Sequence, residues 1–279
     1  METAERMVPD ASDVARYESL GWWTSPVLFS ETEVDGLRAA VVRAYAGEFD
    51  QVDDWPLGPP LNGDDPEAVK TLLWAWRISH AIRSVVFDPR ITRIASALLR
   101  VDRIRVWQDQ AIWKPGLGAN NRTEAGNIGW HQDFAYWQNS STTRMISANL
   151  ALQDTTVVNG ALQVFDGSHR LGLISASDGF FDTNFTAQER RFAEVCGGIE
   201  PTVLNLRAGQ VSFHHALTVH GSGPNHGDAP RLVIAPAYLP DGARYVPATI
   251  ADSPHAKFLG TARASGMPWD GPYFPLVPC

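Results

Sequence analysis

Gly129-Trp130-His131-Gln132-Asp133-Phe134 puts a histidine and an aspartate two positions apart, and the reading of the whole chain turns on that pair. On a strand or at a strand end, residues i and i+2 project to the same face. An imidazole nitrogen and a carboxylate oxygen can then reach one metal ion together. Alone the triplet is unspecific, because a surface histidine beside a solvated aspartate arises by chance in many chains of this length. Its weight depends on whether the rest of the sequence supplies a remote third ligand.

The second segment to consider is His214-His215-Ala216-Leu217-Thr218-Val219-His220-Gly221-Ser222-Gly223-Pro224-Asn225, followed by Arg231. His214, His215 and His220 are all candidates for the remote ligand. For His214 and His215 the structural reading is favoured, with one ring in the core and the other in solvent. His220 precedes a glycine turn, and a return strand starting near Arg231 is expected to lie alongside it. Two histidines and one carboxylate leave adjacent coordination positions open, the arrangement used by non-haem iron(II) oxygenases. An arginine nearby makes sense if the metal binds a 2-oxo acid. The oxo group and adjacent carboxylate chelate the metal, and the far carboxylate needs a planar, bidentate cation, which suits Arg better than Lys. Ser222 is a candidate for a further hydroxyl contact to that carboxylate.

Around these segments the chain changes texture. Ser30 with Glu33 reads as a capping box ahead of a helix over 31–46. The spacing of Val69, Leu72, Leu73 and Trp76 predicts a second helix over 66–86, and Pro89 opens a third over 88–99. From residue 101 onward, β-rich runs over 103–113, 145–153, 161–166, 202–206, 210–214 and 232–238 alternate with Gly, Pro and Asn turn signals. Helices followed by short strands point to an α+β arrangement, or to a mainly β core with flanking helices. No repeat or linker interrupts 1–279, so a single domain is expected: a helical flank over about 1–100, a β core over about 101–240 and a tail over 241–279. The stretches 115–129, 170–200 and the chain after 252 read as surface loops or lids.

Composition narrows the function classes. Hydrophobic residues make up 44% and charged residues 19% of the 279, which suits a folded chain. The net charge of -8 with scattered acids disfavours nucleic acid as a partner. Cys196 and Cys279 are the two cysteines. With no CxxC pair, thiolate metal sites are not expected, and so low a usage fits the reducing cytoplasm. Residues 1–10 lack the apolar core of a signal peptide, and no apolar run reaches membrane-spanning length.

The ordered motifs resemble the phytanoyl-CoA dioxygenase (PhyH-like) family of Fe(II)/2-oxoglutarate-dependent oxygenases from about Tyr17 to Tyr238. Tyr17-Glu18-Ser19-Leu20-Gly21-Trp22 is similar to that family's opening, and Trp130-His131-Gln132-Asp133 to its iron motif. Asn159-Gly160-Ala161-Leu162 and Gly167-Ser168-His169-Arg170 match its central hairpin. Gly209-Gln210-Val211-Ser212-Phe213-His214, with His220-Gly221-Ser222, Asn225 and Arg231, matches its C-terminal signature. Asp166 departs from the pattern, standing where the family often has proline. The resemblance implies a double-stranded β-helix, a cupin-like jelly roll. It implies His131, Asp133 and His220 as ligands of Fe(II), with Arg231 and Ser222 on the 2-oxoglutarate carboxylate and O₂ as co-reactant. Gln108, Gln110 and Asn149 are its weaker candidates for further cosubstrate contacts. Relatives that halogenate lack the carboxylate, so Asp133 argues against halogenation.

The expected reaction is oxidation of a C–H bond of a small organic molecule, in a tailoring step such as hydroxylation, epimerisation or cyclisation in antibiotic biosynthesis. Trp107, Trp113, Trp130 and Trp137 could stack on an aromatic or polycyclic substrate. A fatty acyl-CoA is the alternative substrate, with Arg122, Arg170, Arg190 and Arg191 as the available basic residues. A zinc hydrolase on the same ligands, or an inactive binding barrel, are the rival classes.

Overall fold

The computed structural model describes residues 8–51, 53–55, 65–120, 124, 126–174, 179–180, 182, 184–248 and 253–279. In chain order its helices and strands are α1 (Ala11–Leu20), β1 (Trp22–Val27), α2 (Glu31–Tyr45), β2 (Lys70–Leu73), α3 (His80–Val86), α4 (Pro89–Leu99), β3 (Ile104–Lys114) and β4 (Ile128–His131). There follow β5 (Ile146–Ala151), β6 (Leu162–Val164), α5 (Phe185–Val195), β7 (Thr202–Val203), β8 (Gln210–His215), β9 (His220–Ser222) and β10 (Arg231–Pro240). None of the described helices is long and apolar enough to cross a membrane.

The strands form two antiparallel sheets. The larger has the order β1-β8-β5-β10-β3-β2, and the smaller β4-β9-β6-β7. This is the mainly β, jelly-roll architecture that the family resemblance implies. Period-2 alternation divides the larger sheet into two faces. On β3, Asp109 and Ala111 face outward, while Gln108, Gln110 and Ile112 face the interior. Ala237 pairs with Gln108 but Tyr238 pairs with Val106, so Trp107 is the extra residue of a β-bulge. The bulge turns Trp107 into a separate aromatic cluster with Trp137, Trp269 and Phe274.

The outer face is covered by helices. Val34, Leu37 and Val41 of α2, Ile82 and Val86 of α3, and Ile91, Ile94 and Leu98 of α4 share one core with Ala111, Leu150, Val211, Phe213 and Ile234. Helix α2 starts where its sequence predicts, because Ser30 and Glu33 satisfy each other's backbone N–H groups.

Several expectations are corrected. Residues 66–86 are not one helix: Lys70–Leu73 is edge strand β2 on β3, and the chain then passes through Trp74 at φ 52° into a 3₁₀ turn and α3. Leu72 faces the helical core while Thr71 and Leu73 face the interior, a strand alternation that the helix-like spacing concealed. The N-terminal flank is therefore not purely helical, since β1 and β2 form both edges of the larger sheet. Segment 170–200 holds α5, capped by Asn184, so it is more than loop. The tail also docks: Val106 N–H donates to Pro275 O at 3.0 Å, and Arg105 bridges to Leu276. Arg231 does not begin a strand beside His220, because β9 and β10 lie in opposite sheets. Arg122 lies outside the described residues.

Candidate active site

His131 ends β4 and His220 begins β9, and the two are direct cross-strand partners in the smaller sheet. Their side chains consequently share a face, with ring centroids 4.2 Å apart. Gln132 continues in extended backbone and Asp133 opens a 3₁₀ turn, so the aspartate returns to that face. Asp133 Oδ1 lies 3.5 Å from His131 Nε2 and 3.6 Å from His220 Nε2. One ligand atom from each of the three lies within 4.8 Å of the others, and all three residues are buried.

The other nitrogens and oxygens of this trio are committed elsewhere. His131 Nδ1 lies 2.7 Å from Gly129 O, and His220 Nδ1 lies 2.8 Å from Thr218 O. A carbonyl only accepts, so each Nδ1 carries a proton and each Nε2 faces Asp133. Asp133 Oδ2 accepts from Ser147 Oγ at 2.6 Å and from His214 Nε2 at 3.1 Å. Ser147 and His214 are themselves cross-strand partners in the larger sheet. They therefore clamp one carboxylate oxygen from across the barrel and leave the other turned toward the histidines. Burial opposes ionisation of Asp133, yet the imidazoles of His220, His131 and His214 hold it well below the usual carboxylate range. Burial, then the neighbouring His214 and His131, holds His220 well below its usual range, as a neutral ligand. Two imidazole nitrogens and one carboxylate oxygen form an N/O donor set that fits iron(II).

The scaffold around the trio accounts for the other motifs. Thr218 Oγ1 donates to Gly21 O at 2.8 Å, and Val219 N–H donates to Ser168 Oγ at 2.9 Å. The opening and hairpin motifs thus fix the residues just before His220. Asp166, the departure from the family pattern, accepts from Trp22 Nε1 at 2.7 Å and so serves as an anchor for β1. Gln132 faces away from the metal donors. Its amide donates to Gly172 O (2.8 Å) and Leu217 O (2.7 Å) and accepts from Ile174 N–H (2.7 Å). Glycine is required at 129 and 179: a Cβ on Gly129 would meet Gly179 O at 1.8 Å. That close approach lets Phe180 lie over His131, ring centroids 5.1 Å apart.

A run of cavities passes through the interior. The outer one, about 190 Å³, is lined by Thr71, Leu73, Gln108, Gln110, His131, Asp133, Tyr136, Trp137, Phe180, Pro254 and His255. The middle one adds Ser147, Asn149, His214 and His220. The innermost holds Asn149, Ser222 and Arg231. Gln108, Gln110 and Asn149 thus all face the interior. Asn149 Nδ2 lies 3.4 Å from His214 Nδ1.

At the inner end Arg231 Nη2 donates to Ser222 Oγ at 3.1 Å, and its Nε to Asn159 O at 3.1 Å. Ser222 Oγ donates in turn to Gly160 O at 2.6 Å. Lys114, the cross-strand partner of Arg231, is also buried, and its Nζ donates to the carbonyls of Ser222 (2.9 Å) and Gly223 (2.5 Å). Burial pushes Arg231 down to about 10 and, together with Arg231's charge, holds Lys114 well below its ordinary range. Neither cation has a carboxylate partner among the described residues. A buried cation such as Arg231 is costly unless an anion joins it.

Reading the sequence missed Lys114 and His214. Lys114 continues the inward alternation Gln108, Gln110, Ile112, which was signal enough. His214 was assigned a structural role, and only sheet-to-sheet packing brings it to Asp133. Of the four tryptophans near the motif, Trp137 lines the outer cavity and Trp107 sits behind it. Trp113 and Trp130 do not contribute. Trp113 has outward parity on β3 and packs on Tyr45, and Trp130 points opposite to His131, against Phe165 and Phe185.

Comparison with known proteins agrees with this geometry. The family profile of phytanoyl-CoA dioxygenase (PhyH) matches residues 18–233. The chain belongs to the PhyH family. As a PhyH protein it is by class an Fe(II)/2-oxoglutarate-dependent oxygenase. The ectoine dioxygenase of Bordetella parapertussis is 27% identical over 243 residues, 82% of this chain and 74% of that one. Among solved structures, the non-heme alpha-ketoglutarate-dependent carbocyclase SnoK from nogalamycin biosynthesis superposes with a TM-score of 0.72 at 25% identity, covering 97% of each chain. The epimerase SnoN, in complex with Fe³⁺, alpha-ketoglutarate and nogalamycin RO, gives 0.71 at 27% identity, covering 95% of this chain and 97% of that one. The matched span thus runs from α1 through β9 and into the start of β10.

Proposed function

We propose that this PhyH chain oxidises a C–H bond of a small organic molecule in a secondary-metabolite tailoring step, with Fe(II) held by His131, Asp133 and His220. The observation that carries the reading is Arg231, a buried cation without an acidic partner among the described residues, at the far end of a run of cavities from the metal donors. A dicarboxylate 2-oxo acid meets both needs: a chelating end for the metal and a distal carboxylate for Arg231 and Ser222. A zinc hydrolase has no use for such an anion site.

When bound, the iron and 2-oxoglutarate supply the activation of O₂ that drives substrate oxidation. The protein's own part is to bind and orient. Ser147 and His214 keep Asp133 Oδ2 occupied, so Oδ1 is the oxygen offered to the metal. Ile112, Ile128 and Leu162 wall the tunnel and exclude water between the metal donors and Arg231. Asn149 is available to both inner cavities, and Gln110 to the outer two. The outer cavity, with Tyr136, Trp137 and Phe180 in its walls, suits a compact aromatic or alicyclic group. The likeness to SnoK and SnoN supports a tailoring role, and its volume of about 190 Å³ favours a small molecule over a long acyl chain. We assign the reaction to the cytoplasm, in keeping with the free thiols Cys196 and Cys279, and treat 1–279 as one catalytic unit.

Anaerobic addition of Fe(II) and 2-oxoglutarate tests the reading. The expected result is a weak visible metal-to-ligand charge-transfer band in wild type, absent in His131→Ala and weakened in Arg231→Ala. No band from wild-type protein shown to hold iron would overturn it.

A further inference from the structure

The C-terminal segment, expected from sequence to be a surface lid, carries a residue into the outer cavity. His255 belongs to the 3₁₀ turn Pro254–Leu259 and lines the cavity beside His131 and Asp133. Its ring stacks on Trp107, centroids 4.0 Å apart and planes at 11°, and lies 5.0 Å from the ring of Trp74. Two indoles thus hold the imidazole in place. His255 Nε2 lies 2.9 Å from Gln108 Oε1, and both residues are buried, at 3% and 5% exposure.

The bond has a direction. An amide oxygen only accepts, so Nε2 carries the proton. Burial, and then the charge of Lys257, holds His255 well below its ordinary range and therefore neutral. The remaining Nδ1 lone pair is buried without a donor among the described residues. With Oε1 committed to His255, the amide nitrogen of Gln108 is turned away from it. That nitrogen makes no hydrogen bond among the described residues, and Gln108 lines both the outer and the metal-proximal cavities. Gln108 does not reach the innermost cavity, where Arg231 and Ser222 sit.

We propose that Gln108 and His255 form the polar anchor of the prime-substrate subsite: His255, delivered by the tail, fixes the amide so that its N–H₂ donates to an acceptor oxygen on the substrate. Gln108 is then a specificity determinant, not a cosubstrate contact, and His255 is its positioning residue. The substrate class is a compact, mostly apolar molecule carrying a carbonyl or similar acceptor oxygen near the carbon to be oxidised. The inference rests on the oxygenase reading above, since that reading makes this cavity the substrate site.

The test uses the anaerobic Fe(II)–2-oxoglutarate enzyme with two probes of like size, acetophenone and ethylbenzene, which differ by one carbonyl oxygen. Dissociation constants are read from tryptophan fluorescence. The ratio of acetophenone to ethylbenzene affinity is expected to fall roughly three- to tenfold in Gln108→Leu, the worth of one neutral hydrogen bond. A comparable fall is expected in His255→Phe, which keeps the stacking on Trp107. The charge-transfer band should persist in both variants, which also shows that they fold. An unchanged ratio in both variants, or a cavity that takes neither probe, overturns the proposal. Loss of the band in Gln108→Leu overturns it too, by returning Gln108 to the cosubstrate. Loss of the band in wild type is a different failure, that of the oxygenase reading itself.

Discussion

Asp133 and Asp109 are both buried carboxylates, one on each side of the β-sandwich wall, and they are held in opposite charge states. Asp133 lies inside the barrel among three imidazoles and the Ser147 hydroxyl, which hold it ionised despite its burial. Asp109 lies on the outer face of β3 under the helices, beside Trp74 and Trp76. Its Oδ2 accepts only from backbone, including Trp76 N–H at 3.2 Å, and its Oδ1 has no partner among the described residues. Burial raises it from 3.8 to about 8. Burial therefore does not decide the charge of a carboxylate; the groups facing it do. The inner face of the sheet is built to keep a charge that a metal can use. The outer face is built to pack, and tolerates this acid mainly in its neutral form.

The largest expected effect comes from removing the charge on the inner face. Asp133→Asn keeps the volume and should raise the Fe(II) dissociation constant by roughly a thousandfold or more, beyond the 10–100-fold typical of an outer contact. Metal titration checks this, and near-wild-type affinity would mean that Asp133 is not a ligand. The reverse experiment is on the outer face. Because Asp109's folded pKa is raised, its contribution to stability is full below about 4 and is lost as pH rises toward about 8. Asp109→Asn should abolish that loss, on the order of 3–5 kcal/mol by pH 8, with little change at pH 4. Denaturant unfolding of both proteins across that range measures it, and parallel curves would break the contrast. The smallest effect is at the clamp. His214→Leu should weaken iron binding by about 10–100-fold, with partial recovery in His214→Gln, which keeps a donor for Asp133 Oδ2. Equal affinities in the two variants would reduce His214 to a space-filler.

Much of the fold was legible where local signals act alone. The Ser30–Glu33 cap, Pro89 at the start of α4 and the alternation in β3 each rest on neighbours in sequence, and each element appears where expected. Two of the failures share a cause. Val69, Leu72 and Trp76 have helical spacing, but Lys70–Leu73 gains its hydrogen bonds from β3, a partner distant in sequence. The tail shows no periodicity, and its position is set by contacts with Trp74, Trp107 and Gln108.

The sequence by itself determined the donor chemistry: a His-x-Asp pair, a remote His220 and an arginine at Arg231 that suits a 2-oxo acid, while the jelly roll was implied by the resemblance of the ordered motifs to the PhyH family. Residue type and the two-residue period of a strand are local properties, so no tertiary knowledge was needed. Only the tertiary structure decided which groups meet across the barrel. His214 and Ser147 reach Asp133 from the opposite sheet, Lys114 pairs across strands with Arg231 as a second buried basic residue, and His255 reaches Gln108 from 147 residues away. Those meetings depend on strand order, on the bulge at Trp107 and on the docking of the tail, none of which a local pattern encodes.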